Sequence, residues 1–160
     1  MTAGHKLGVT EFATPSDMEI VITRLVEAPR EQVFDAWTKP EHVTRWMLGP
    51  DGYSMPVCEI DLRPGGAFRF VNDGHHGPPF AGTYAVVERP SRLVFEAMGS
   101  VGTVTLEAAG TGTRMSVTIR CASKEHLEHF VKLGVADGTD RTLDNLVRYV
   151  GASPTASAVS

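Results

Sequence analysis

The chain lacks the features that mark several large classes of protein. It contains no run of 18 consecutive apolar residues, so it predicts no transmembrane helix. Residues 1–17 have neither a basic segment nor an apolar one, and so predict no secretion signal. Lysine and arginine form no cluster and the formal net charge is −4, which argues against nucleic acid or an anionic membrane as a partner. We therefore expect a cytoplasmic protein.

Cysteine and histidine are also too scattered to suggest a metal centre. Cys58 and Cys121 have neither zinc-ligand nor redox-pair spacing, and we interpret them as buried free thiols. His126 and His129 share one predicted helix and His75-His76 lies in a loop, whereas zinc needs three or four converging ligands. No glycine-rich phosphate motif and no nucleophile elbow occur. The sequence predicts no metal and no cofactor.

The composition that remains is that of one globular domain. The 160 residues are 42% hydrophobic and 21% charged, and this length is enough to bury a substantial core. We expect a flexible arm over residues 1–17, one domain over residues 18–150 and a disordered tail over residues 151–160.

Apolar periodicity predicts the elements of that domain. A strand over Ile20–Glu27 is apolar on both faces, and Ala28-Pro29 then opens a short helix. A second short helix begins near Pro40, and Thr38 or Lys39 could cap it. Six strands with short connections follow, which favours antiparallel neighbours: Val57–Asp61, Ala67–Val71, Gly82–Glu88, Arg92–Ala97, Val101–Ala108 and Arg114–Arg120.

The end of the domain is predicted to be helical. A short apolar stripe ends at Gly134, and a longer helix runs from Val135 to about Tyr149. Its far side is expected to pair Asp137 with Arg141 and Asp144 with Arg148 at i+4 spacing. The small residues Gly134, Ala136 and Gly138 predict a kink, a close approach of the helix to the sheet, or room for a ligand. The fold class is therefore α+β, a curved antiparallel sheet around a long C-terminal helix with two short helices at its mouth.

From about Met18 to Val150 the chain resembles proteins similar to the activator of heat shock protein 90 ATPase. Each motif is weak alone, but their order and spacing together are specific. The matching segments are Ile20-Val21-Ile22-Thr23-Arg24, Ala28-Pro29, Val33-Phe34-Asp35-Ala36-Trp37-Thr38, Pro40-Glu41-His42, Trp46, Asp61-Leu62-Arg63-Pro64-Gly65-Gly66-Ala67-Phe68, Gly82-Thr83-Tyr84, Pro90, Arg92-Leu93-Val94-Phe95 and Gly112-Thr113-Arg114.

The resemblance implies the START-like, helix-grip fold (β-α-α-β6-α, the SRPBCC superfamily), whose members enclose a hydrophobic cavity between the sheet and the terminal helix. Its members include aromatase/cyclases, lipid carriers and hormone-binding proteins, so fold alone does not set function. Trp46-Met47 stands where many relatives have two tryptophans, which predicts a softer and wider mouth.

The candidate ligand-binding residues are aromatic side chains, methionines and two threonines. Trp37, Trp46 and Met47 either cap the core or form a lid over a pocket. The full set is Trp37, Trp46, Met47, Phe68, Phe70, Phe80, Tyr84, Phe95, Met115, Phe130, Thr139 and Thr142.

The candidates for acid–base chemistry are Arg63, Tyr84, Asp61 and a histidine of the loop that contains His75-His76. A structural ion pair is the favoured interpretation of Arg63 with Asp61. Tyr84 either donates a hydrogen bond inside the cavity or places its hydroxyl at the rim.

Three functions follow from these patterns. The first is a monomeric or homodimeric protein that binds a small hydrophobic, aromatic or lipid-like molecule in a cavity between the sheet and the C-terminal helix. The second is a cyclase/aromatase or hydrolase-type enzyme that uses the same cavity. The third is an interaction protein that activates a chaperone ATPase. For the third, the sequence shows no counterpart of the N-terminal domain of the eukaryotic co-chaperone, which predicts a null result in an ATPase assay.

Overall fold

The computed structural model describes residues 11–16, 18–47, 55–71, 80–132 and 135–151, without the side chains of residues 11–16 and 135–138. Within them lie eight strands and four helices. The strands are β1 (Glu11–Ser16), β2 (Glu19–Val26), β3 (Val57–Ile60), β4 (Ala67–Val71), β5 (Phe80–Glu88), β6 (Arg92–Ala97), β7 (Ser100–Ala109) and β8 (Gly112–Arg120). The helices are α1 (Arg30–Thr38), α2 (Pro40–Trp46), α3 (Lys124–Lys132) and α4 (Val135–Gly151).

All eight strands form one antiparallel sheet in the order β1-β2-β8-β7-β6-β5-β4-β3. The register of β5 against β6 shifts between Tyr84 and Val86, and such irregularities bend a strand and increase its twist. The helices α1 and α2 connect β2, near one edge, to β3, at the other. They must therefore cross the sheet, and this topology places them over its inner face.

The inner face of the sheet is built from alternate residues of each strand. One row runs across four strands, since Ile22 pairs with Val117, Val117 with Val104, and Val104 with Leu93. All four side chains are buried. The α+β class and the curved antiparallel sheet with a long C-terminal helix are thus confirmed.

A proline stands at the beginning of each of the helices α1 and α2. Pro29 is the N-cap of α1, and Pro40 stands at the start of α2, where a missing N–H costs nothing. Lys39 is the N-cap of α2, and no side chain caps that helix. The Thr38 hydroxyl instead donates to the Phe34 carbonyl at 2.9 Å, so Thr38 does not form the capping box considered from the sequence.

Regular structure continues beyond both ends of the domain that was expected over residues 18–150. The arm expected over residues 1–17 contains β1, which pairs with β2 through Phe12 opposite Ile22. Helix α4 begins at Val135, as expected, and ends at Gly151. The rest of the expected tail, residues 152–160, lies outside the described residues, as do Gly134 and the side chains of Ala136 and Asp137, and with the latter the expected pair of Asp137 and Arg141.

Candidate functional site

A small apolar cavity lies between helices α1 and α2, the two mouth helices, and the inner face of β4, β5 and β6. The space open to the centre of a water molecule is about 10 Å³, which is close to the requirement of a single water. Its described lining residues are Trp37, Met47, Phe68, Phe70, Phe80, Tyr84, Leu93 and Phe95. None of these eight side chains carries a charge.

An aromatic cluster forms the floor of the cavity. The Phe68 ring centre lies 5.1 Å from that of Tyr84, 5.5 Å from Phe80 and 5.7 Å from Phe95. The Phe70 ring is 5.2 Å from the Phe68 ring. These separations and the tilted or edge-on angles are those that aromatic pairs prefer, so the rings form one continuous apolar wall.

The position of the Phe95 ring depends on a glycine on the neighbouring strand. Phe95 is paired with Gly102, and a Cβ atom added at Gly102 would lie 2.5 Å from the tip of the ring. The absence of a side chain at residue 102 therefore lets the Phe95 ring lie flat on the sheet. A larger residue would push the ring towards the cavity.

The two tryptophans have different roles although both are buried. Their ring centres are 4.9 Å apart and nearly perpendicular. The Trp37 indole lines the cavity and donates its N–H to the Met115 sulfur at 3.4 Å. The Trp46 indole donates to the Ala36 carbonyl at 2.7 Å and is 1% exposed. Trp46 and Met115 thus contact Trp37 and do not themselves line the cavity.

Met47 forms the outer side of the cavity. It is the C-cap residue of α2 and is half-buried. Its unbranched side chain has three rotatable bonds, which suits a gap of variable shape. The Trp46 carbonyl beside it accepts a hydrogen bond from Asn145 of α4 at 3.2 Å, so the backbone at the end of α2 is fixed while the Met47 side chain is adaptable.

Tyr84 contributes the one hydroxyl group among the described lining residues. The residue is 3% exposed, and burial raises the pKa of its hydroxyl well above the usual range, with a further rise from the nearby Cys58 thiol. The hydroxyl has no hydrogen-bond partner among the described residues. The Tyr84 backbone, in contrast, is fully paired with Gly65 and Gly66.

The other expected site residues lie elsewhere. Phe130 is buried on α3 against His126, with ring centres 4.5 Å apart, and Thr139 and Thr142 are half-buried on α4. Arg63 and Asp61 form an ion pair at 2.9 Å, with side chains 66% and 52% exposed. This pair lies at the surface, in line with its favoured structural interpretation.

Leu93 lines the cavity and was not among the expected residues. The alternation of residues in the strand Arg92–Ala97 could have predicted that Leu93 lines the cavity, because Leu93 and Phe95 share one face.

A buried ionic cluster joins the sheet to the terminal helix, and sequence analysis missed it. The Arg24 side chain is 0% exposed and lies 3.1 Å from Asp140 and 2.8 Å from Asp144. The expected pairing of Asp144 with Arg148 on the far side of α4 is wrong, since Asp144 contacts Arg24 and Arg148 donates to Asn145 at 2.7 Å. Arg24, an arginine on the buried face of a strand, could have predicted a buried ion pair.

The described residues contain no group of three or more histidine, cysteine, aspartate or glutamate side chains that could hold a metal ion. Among the described helices, none has the length and apolarity needed to cross a bilayer.

Comparison with known proteins identifies the family. No curated protein matches the chain. The family model described as "Activator of Hsp90 ATPase homolog 1-like protein" matches residues 27–151.

Solved structures agree with this match. A protein of Rhodobacter sphaeroides is 22% identical, with a TM-score of 0.81 over 90% of this chain and 99% of its own, and therefore supports the fold. An AHSA1-like protein of Aeromonas hydrophila is 31% identical, with a TM-score of 0.72 over 85% of this chain and 94% of its own. The chain therefore belongs to the Activator of Hsp90 ATPase homolog 1-like family.

Proposed function

We propose that this protein binds a small apolar or aromatic molecule in the cavity between the mouth helices and the aromatic wall. The observation that carries the proposal is the uncharged, largely aromatic lining of that cavity. Binding sites for small molecules are typically apolar with a few placed polar groups. Family membership is consistent with a helix-grip fold that encloses a ligand.

The cavity must enlarge for this function. A space of about 10 Å³ accepts one water, whereas an engineered apolar cavity that binds benzene measures about 150 Å³. Met47, Phe80 and Phe95 are half-buried lining residues, and rotation of these side chains is the simplest way to open the site. On this proposal the small cavity represents a closed state, and its opening accompanies ligand entry.

Titration with ethylbenzene tests this proposal in the ¹⁵N-labelled protein. The two tryptophans give two indole N–H signals in a heteronuclear NMR spectrum, and substitution of Trp46 by Phe assigns them. Because only Trp37 lines the cavity, its indole signal is expected to shift in a saturable manner. The Trp46 signal, from an indole bonded to the Ala36 carbonyl, is expected to shift less.

A linear, unsaturable shift of both signals would contradict the proposal, because non-specific partitioning produces that response. Equal saturable shifts with no perturbation of Phe68, Phe80 or Tyr84 would place the ligand elsewhere and would also contradict it.

The enzyme alternative has lost support from two of its residues. Asp61 and Arg63 are exposed and paired with each other, and of the described candidates only Tyr84 lines the cavity. The loop histidines His75-His76 lie outside the described residues. Acid–base catalysis needs a group within hydrogen-bond reach of the substrate. We therefore favour binding over catalysis.

The cellular location is also a proposal. Both cysteines are free thiols, which is compatible with a reducing compartment such as the cytoplasm. Cell fractionation is expected to find the protein there, and recovery from an oxidising compartment would overturn this assignment.

A further inference from the structure

The cavity combines an apolar lining with a single hydroxyl group. Among the described lining residues, the other polar hydrogen belongs to the Trp37 indole, which already donates to Met115. The backbone of Tyr84 is paired on both sides, with its N–H donating to the Gly66 carbonyl at 2.9 Å and its carbonyl accepting from Gly65 at 2.8 Å. The Tyr84 hydroxyl is thus the polar group of the cavity that is left for a ligand.

We propose that the Tyr84 hydroxyl sets ligand specificity by donating a hydrogen bond to a neutral oxygen acceptor, such as a carbonyl, on an otherwise apolar molecule. This inference rests on the proposed function and narrows its ligand class. The hydroxyl donates to no described side chain or carbonyl, so a ligand that supplies an acceptor oxygen gains a hydrogen bond there. A pure hydrocarbon fills the same space and leaves the hydroxyl unpaired.

The described lining of the cavity has no charged side chain to pair with an ionised ligand. A buried carboxylate or ammonium group requires a charged or strongly hydrogen-bonding partner. Arg24 is buried but already contacts Asp140 and Asp144, and Arg63 lies at the surface with Asp61. Since none of the eight described lining residues is charged, fatty-acid carboxylates and phosphorylated lipids find no counter-ion among them.

Three ligands of similar size separate these possibilities. Acetophenone has a neutral acceptor oxygen, ethylbenzene lacks it, and benzoate carries a negative charge. In the wild-type protein we expect acetophenone to bind about 2- to 10-fold more tightly than ethylbenzene, the range that corresponds to one net hydrogen bond. Benzoate is expected to bind more weakly than both. Dissociation constants come from the Trp37 indole shift.

The variant Tyr84→Phe removes the hydroxyl and keeps the ring. It is expected to abolish the preference for acetophenone and to leave ethylbenzene affinity within about 2-fold of wild type. Retained ethylbenzene binding by the variant shows that the cavity is intact, so a fold defect cannot imitate the result. Phe68→Tyr is the matched control, since it adds a hydroxyl at another wall position.

Each remaining outcome decides a different claim. Equal wild-type affinities for acetophenone and ethylbenzene overturn the role of Tyr84 and leave the proposed function standing. A preference that persists in Tyr84→Phe also overturns it, because another donor must then be responsible. Tighter binding of benzoate would overturn the exclusion of charge. No saturable binding of any of the three overturns both this inference and the proposed function.

Discussion

Phe95 and Gly102 show how one missing side chain shapes the cavity. The ring of Phe95 rests where a Cβ at residue 102 would be, and it also meets Phe68 edge-on. Sequence alternation predicts that Phe95 faces inward. It does not predict that the paired residue must be a glycine, because that requirement arises from the register of β6 against β7.

The substitution Gly102→Ala is expected to narrow the cavity. The added methyl group displaces the Phe95 ring, and overpacking of this kind costs about 1–3 kcal/mol in the free energy of unfolding. Urea unfolding measures this cost, and the NMR titration is expected to show weaker ethylbenzene binding. Thr103→Ala, on the same strand but the opposite face, serves as control and should not affect binding. Unchanged affinity in Gly102→Ala would place the binding site away from Phe95.

The opposite change is expected from Leu93→Ala. Leu93 is 2% exposed and lines the cavity, so truncation costs about 2–5 kcal/mol in the free energy of unfolding. The same truncation enlarges the cavity, and ethylbenzene should bind more tightly than in the wild type. Binding that is weaker in a variant still folded by circular dichroism would contradict the assigned site.

At the scale of whole elements, the packing of α4 against the sheet depends on the buried ionic cluster. Arg24 on β2 contacts two carboxylates, Asp140 and Asp144, that are one turn apart on α4. Their spacing of four residues places them on one face of the helix. Around them the contact is apolar, through Leu143 and Leu146, both 1% exposed or less. The cluster therefore fixes which face of α4 meets the sheet.

Removal of the cation should weaken this contact strongly. Arg24→Met removes the cation that contacts two buried or half-buried carboxylates, and breaking such a pair typically costs about 3–5 kcal/mol. Urea unfolding is the measurement. The triple variant Arg24→Met with Asp140→Leu and Asp144→Leu is expected to recover most of the loss, because apolar packing replaces the whole cluster. A single variant within about 1 kcal/mol of wild type would show that the cluster is not structural.

Helix α1 is held by a second, more exposed ionic contact. Arg89, in the turn between β5 and β6, donates to both carboxylate oxygens of Asp35 at 3.0 and 3.1 Å. Burial alone would raise the pKa of Asp35, but the hydrogen bond and charge of Arg89 and the charge of Lys39 outweigh it and lower that pKa below 3.8. The ionised form is therefore favoured in the folded protein.

This shift predicts a pH dependence for the Asp35→Asn variant. A pKa that is lowered on folding contributes stability above the unfolded value of 3.8, and the contribution is lost as pH falls through the folded value. The wild type should therefore exceed Asp35→Asn by about 0.5–1 kcal/mol at neutral pH, and the difference should vanish in strong acid. Urea unfolding at several pH values measures it. A difference that grows on acidification would contradict the assignment.

The elements were largely predictable from sequence, whereas their partners were not. Alternating apolar residues in Arg114–Arg120 and the helical stripe Leu143, Leu146 and Val150 each depend on local spacing. Whether Trp37 or Trp46 faces the cavity depends instead on how α1 and α2 pack together. The ion pairs of Arg24 span more than a hundred residues, and strand β1 depends on its pairing with β2.

At the scale of the whole molecule, the sheet, α4 and the mouth helices surround an interior whose described aromatic cavity measures about 10 Å³. Seven of the twelve residues expected to bind a ligand line the cavity, and whether they bind one stays a prediction. The sequence could not predict the volume, which depends on how the rings of Phe68, Phe80 and Phe95 pack together. The proposed function requires that this packing yields to a ligand.

A crystal structure of the protein grown with saturating ethylbenzene tests that requirement most directly. Our account predicts ligand density between Met47 and the Phe68 ring, with the cavity enlarged from about 10 Å³ to on the order of 100 Å³ and the Met47 side chain displaced. An interior that keeps its closed packing, with no ligand among these side chains, would contradict it.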